Sequence, residues 1–279
     1  MNRPSVRWIC GAGIAIAVAA SPAQAQPSGV PAAVEHLLQG FASESCARRW
    51  QSAEEYTDRM IGRVLKYEEP PEEVAARLRA RAPLAGTVVE NRVRQIAAFV
   101  DEFRASFERL EKDAATVDRS GTKREVWRAL LRPLTKVLDD PGEAFMTRWL
   151  AASVVASTVR KSDSARAAGW SQPLPRLLQS RDAGARLLGS IVAAMGGLLE
   201  DQAPTKGQVI PTLILGLDAD PFAARYESQR ALLEVTELPV DRFCVDPSDG
   251  PVDRAAGVQR WQAWWEQNKA RLSREKIQQ

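Results

Sequence analysis

Three times in the second half of the chain, a proline flanked by apolar residues is followed seven positions later by an aspartate. The copies are Pro133 with Asp140, Pro175 with Asp182, and Pro211 with Asp218. Each proline is bracketed by large aliphatics: Leu131 and Leu134, Leu174 and Leu177, Ile210 and Leu213. A break follows each aspartate, marked by Pro141 and Gly142, by Gly184, and by Pro221. Apolar-rich stretches with helical spacing come next, at 143–160, 183–199 and 222–236. A lone helical hairpin cannot bury its own apolar face, so a recurring hairpin must stack on its neighbours. The proline intervals, 42 and 36 residues, have the length of such units.

Further residues fit the same unit. Arg148, Arg186 and Arg225 place a basic residue in each second helix. The last copy ends on Ala231, Leu232, Leu233, Glu234, Val235 and Thr236, followed by Phe243, Asp246 and a helix carrying Trp261, Trp264 and Trp265. Together these resemble the HEAT-repeat family, in its bacterial exported form with a closing Trp-x-x-Trp-Trp helix. The resemblance covers about 122–272 and implies an α-solenoid of about three hairpins plus a capping helix, within a domain at 122–275. It also implies a protein-binding or scaffold role. Glu237 departs from it, standing where the family pattern has glycine, and the repeat spacing is irregular.

The first half carries no resemblance, but it is helical in pattern. Sustained apolar–polar alternation is absent, so the fold class is all-α. Helices are expected at 32–50, then from Ser52, where Ser52 and Glu55 have capping-box spacing, and then from the Pro70–Pro71 pair to about residue 82. Val89, Val93, Ile96, Val100, Phe103, Phe107, Leu110, Ala114 and Val117 then alternate at four and three residues. This heptad seam predicts one long helix at 87–117, about 46 Å at 1.5 Å per residue. Such a seam needs a partner. The helix from Ser52 is one, and a second copy of the chain, as a homodimer, is the other; bulky Phe103 and Phe107 favour the first. The whole N-terminal helical region spans 32–120.

The first 25 residues have the form of a signal peptide. Arg3 and Arg7 precede an apolar run from Ile9 to Ala20, and Ala23-Gln24-Ala25 is a small-x-small cleavage site. The run is too short to span a bilayer. A flexible leader at 26–31 follows. The expected location is the periplasm or the exterior, without a stable membrane span. Charge is nearly balanced, with 38 Lys and Arg against 35 Asp and Glu, so nucleic acid is not an expected partner.

Cys46 and Cys244 remain after leader removal and form a candidate disulfide for an oxidising compartment; the alternative is two buried thiols. A long helix running the height of the stack is the simplest way to bring them together. Trp261 and Trp265 share a core-facing stripe, whereas Trp264 lies off it and is the candidate interaction surface. Asp241, Asp246, Asp249 and Asp253 read as turn residues, with Asp253 as a helix cap. His36, the single histidine, lies among Leu37, Leu38 and Phe41 and reads as structural. No nucleophile–histidine, metal or phosphate motif occurs, so neither cofactor nor metal is expected. The chain therefore reads as a non-enzymatic binding or scaffold protein of the bacterial envelope, with a protein or peptide partner. Two alternatives are an envelope hydrolase using a carboxylate pair and a structural oligomer built through the long helix. Glu54–Glu55, Glu68–Glu69 and Glu72–Glu73 read as helix-start and solvated residues.

Overall fold

The computed structural model describes residues 29–65, 72–118 and 120–277. The expected signal peptide and residues 26–28 of the leader lie outside these residues, as do Glu68, Glu69, Pro70 and Pro71. The described residues form thirteen α-helices and two short 3-10 turns, without a β-strand; Thr205 and Lys276 make one isolated bridge. The N-terminal helices are α1 (Val30–Ala42), α2 (Cys46–Leu65), α3 (Glu72–Arg81) and α4 (Thr87–Ala115). There follow α5 (Lys123–Asp139), α6 (Phe145–Lys161), α7 (Asp163–Ala167), α8 (Pro173–Leu178) and α9 (Ala183–Ala194). The chain closes with α10 (Lys206–Gly216), α11 (Phe222–Thr236), α12 (Val240–Phe243) and α13 (Pro251–Leu272). No described helix is long and apolar enough to cross a membrane.

Local chemistry sets many of these boundaries. Thr122 and Glu125 close the expected capping box at the start of α5, each side chain satisfying the other's backbone N–H. Asp182 caps α9 through Ala185 N–H at 2.6 Å. Asp140 instead turns back on Gly142 N–H, and Asp218 takes Arg254 as partner. The three aspartates thus share a sequence position but not a contact. Pro133 and Pro211 sit inside helices, while Pro175 falls in the first turn of α8. The helix expected at 183–199 ends at Ala194, because Gly196 turns into positive φ (69°) just beyond it.

The helices expected at 32–50 and from Ser52 are divided differently. The chain breaks at residues 43–45, and Ser52 lies inside α2, buried against Gly40 of α1. A Cβ at Gly40 would fall 1.7 Å from the Ser52 hydroxyl, so the close crossing of α1 and α2 depends on glycine there. Glu55, freed from capping, binds Arg59 at 2.6 Å and His36 at 3.2 Å. His36 therefore ties α1 to α2.

The heptad seam of α4 is covered within the chain. Val89, Val93, Ile96, Val100, Phe103, Phe107 and Leu110 are buried, and α4 packs on α1, α2, α6 and α11. From α5 onward, helices pack as successive neighbours: α5 on α6, α8 on α9, α10 on α11, with α9 between α6 and α10. Thirteen of the seventeen residues of α6 are buried, so this helix is enclosed on nearly all sides. Trp127 and Trp170 meet edge to face at 5.3 Å, and the Trp170 indole donates to the Trp127 carbonyl.

Three arginines perform the same local task. Each donates Nη1 to the carbonyls six and five residues earlier, clasping the turn that precedes its helix: Arg186 to Ser180 and Arg181, Arg225 to Ala219 and Asp220, Arg49 to Ser43 and Glu44. Arg49 places this clasp in the half of the chain where the sequence shows no repeat. Arg148 differs, reaching the Leu138 carbonyl.

Candidate functional site

Three places concentrate chemistry. The first is the loop 244–250, where the N-terminal helices meet the C-terminal end. Cys46 at the start of α2 and Cys244 are joined in a disulfide, with Cα atoms 5.9 Å apart across 198 positions of sequence. Beside it, Arg49 of α2 donates to Asp246 (2.5 Å) and Asp249 (2.9 Å). Arg92 of α4 donates to Asp249 (3.0 Å) and to the Phe41 carbonyl (3.0 Å). Gln95 donates to Ser248 O, and Arg225 donates to Pro247 O. Burial opposes the Arg49 charge, but the bond and charge of Asp246, with the charge of Asp249, overcome this and leave its pKa raised. Burial and the nearby Arg254 lower that of Arg225.

Asp246 holds the expected turn, its carboxylate accepting from the Ser248 N–H at 2.9 Å and its carbonyl from the Asp249 N–H at 3.1 Å, and with Asp249 it is also the anionic half of a buried ion cluster. Asp253 does not cap α13, whose N-cap is Gly250 without a side-chain bond. Local sequence held no sign of either fact, because the partners of Asp249 lie 157 and 200 positions away.

The second place is a cleft of about 410 Å³ between α10, the end of α11 and α13. Its lining includes Lys206, Glu237, Leu238, Trp264, Asn268 and Arg271. On α13 the last three are spaced four and three apart and so share one face. Trp264 is half-buried, edge-on to Trp261 (5.7 Å) and Phe243 (6.1 Å). Trp261 is fully buried and donates its indole N–H to the Phe243 carbonyl. The expected stripe is thus core-facing at Trp261 and only partly so at Trp265, which is half-buried. Asn268 donates to the Trp264 carbonyl at 2.8 Å. Lys206 and Arg271 bracket the carboxylate of Glu275, at 3.3 and 2.9 Å.

Glu237 caps α11 with φ 55° and ψ 24° and is the one non-glycine residue with positive φ among the described residues. This is the position at which the sequence departs from the expected glycine. An L residue held left-handed is strained, and such strain gathers at binding and catalytic positions. Chemically, the cleft offers an aromatic side chain and the Asn268 amide oxygen to a bound group, its two cations being paired with Glu275.

A third cluster lies between α2 and α11. Burial pushes the Glu54 carboxyl up to about 7, with the charges of Asp58 and Glu227 adding to the shift and Arg230 and Trp50 opposing it. Burial likewise raises Glu227 to about 6, against the pull of Arg230 at 3.8 Å. Glu227 is 2 % exposed and its Oε2 lacks a hydrogen-bond partner. Glu54 is therefore not a solvated helix-start residue, as its sequence context implies. Among the described residues, no group of three or more His, Cys, Asp or Glu side chains stands in a metal-holding arrangement.

No protein-family model, curated protein or solved structure matches the chain.

Proposed function

We propose that the chain is an exported protein of the bacterial envelope that holds a protein or peptide partner, with the cleft at Trp264 as a point of contact. In this reading residues 122–275 form a short HEAT-like stack of three helical pairs closed by α13, and the leader at 1–25 directs export. The side-by-side packing of α5–α6, α8–α9 and α10–α11 supports the stack. The disulfide accords with an oxidising compartment. The observation that carries the binding role is the open cleft itself, where a half-buried tryptophan stands beside a strained glutamate.

Photo-crosslinking tests this directly. A photoreactive residue at Asn268 is expected to trap one predominant polypeptide in the native envelope, and Trp264→Ala is expected to abolish the adduct. Labelling no stronger than from a photoreactive residue at exposed Arg94 would overturn the reading.

The hydrolase alternative draws on one observation, the two carboxyls raised toward neutrality at Glu54 and Glu227. Glu227 is 2 % exposed, however, which withholds it from a glycan and favours the interaction reading.

A further inference from the structure

We infer that the exposed face of α5 is a docking rail for a short acidic segment of a partner protein; this rests on the reading of the chain as a protein-binding molecule and adds the partner's chemistry. Arg124, Arg128, Arg132 and Lys136 recur every fourth residue along α5, and all four are exposed. Among the described residues none of them forms a salt bridge, and the nearby Glu125, which feels the charge of Arg128, places its hydrogen bonds in the capping box with Thr122. Some exposed arginines elsewhere are matched, Arg77 with Glu73, Arg79 with Asp101 and Arg94 with Glu90, while others such as Arg176, Arg181 and Arg274 stand singly rather than in a row.

The arrangement works against the helix that carries it. Cations four residues apart on one face repel each other, and α5 holds three such pairs in a row. Lys123 and Arg124 also occupy its first two positions, where the helix dipole disfavours positive charge. Solvation alone requires neither feature, since glutamates at alternate positions would keep the face equally wet and relieve the repulsion.

The geometry selects the partner. At 1.5 Å rise and 3.6 residues per turn the cations stand about 6 Å apart along the axis, span about 18 Å, and wind by about 40° at each step. An acidic helix with carboxylates every fourth residue has the same repeat, and an extended acidic strand, with one face repeating every second residue, comes close to it. Exposed carboxylates flank the run in sequence, Asp118 before it, bonded by Ser120, and Asp139 and Asp140 after it at the end of α5. A membrane surface or a long nucleic acid would run onto these acids, whereas a short acidic segment fits between them.

The test measures binding of the full chain to a labelled helical peptide of about twelve residues with glutamate at every fourth position. The comparison probes are phosphatidylglycerol vesicles and a single-stranded oligonucleotide. The peptide is expected to bind, and to weaken about tenfold between roughly 50 and roughly 300 mM salt. The Arg128→Glu/Arg132→Glu variant is expected to lose at least about tenfold in affinity while melting no lower than the parent chain, because like-charge repulsion is relieved. Equal binding by that variant, no peptide binding, or tighter binding to vesicles or oligonucleotide would overturn the rail. Trp264→Ala is expected to leave peptide binding unchanged; its loss would place the acidic peptide in the cleft and refute the rail while leaving the cleft reading intact.

Discussion

Glu227, in the first half of α11, and Glu237, at its C-cap, carry different kinds of strain. At Glu237 the backbone is strained: a side chain is held in a conformation that glycine adopts freely. Glu237→Gly is expected to raise stability by about 0.5–1 kcal/mol, read as a higher thermal midpoint, and to weaken partner capture at the cleft. At Glu227 the strain is electrostatic. A carboxyl whose pKa is raised by folding binds more protons in the folded state than in the unfolded state, so its contribution is favourable at low pH and is lost as pH climbs. With Glu227 at about 6 and Glu54 at about 7, stability is expected to fall as pH rises from near the ordinary carboxylate value toward 7. Glu227→Gln is expected to flatten that slope and to gain about 1–2 kcal/mol at pH 7.5 in denaturant melts. The first feature was half legible, since the glutamate stands where the repeat pattern has glycine. The second was not, because it arises from the apposition of α2 and α11.

Helix identity was legible wherever the cause was local. The capping box at Thr122 and the heptad seam of α4 act within a few residues, and their helices appear where the pattern places them, whereas α9 stops at Ala194, short of the expected residue 199. The Ser52–Glu55 spacing misled because the same residue types also serve packing, here against Gly40 and His36. The elements that converge on the loop 244–250 were the least legible, since Arg49, Arg92 and Arg225 come from α2, α4 and α11. That loop depends on paired charge. Asp249→Ala is expected to cost about 1–2 kcal/mol, because it leaves two part-buried guanidiniums sharing Asp246 alone, and urea melts will show this directly. Substituting a rim pair such as Arg94 and Glu90 is expected to cost a few tenths of that.

For the whole molecule, the long helix decides the arrangement. It carries α1 and α2 back along the later helices, which is how residues at opposite ends of the sequence come to be neighbours. The expectation that Cys46 and Cys244 would meet rested on the length of α4 alone, and the two are bonded. The cleft was legible only through Trp264, because its other walls come from α10 and the turn after α11. Cys46→Ser is expected to lower stability by about 2–5 kcal/mol, since the bond closes a very long loop in the unfolded chain. Comparing unfolding with and without thiol reductant measures the same quantity.

The sulfur bond also changes what a protease can achieve. Leu84, 86 % exposed at the corner before α4, offers a cutting point, and it falls inside the segment that the two cysteines enclose. Cleavage there severs the backbone without releasing a fragment, so the nicked species still migrates as one band until a thiol is added. In a compartment rich in peptidases, such a chain can be wounded and remain in one piece.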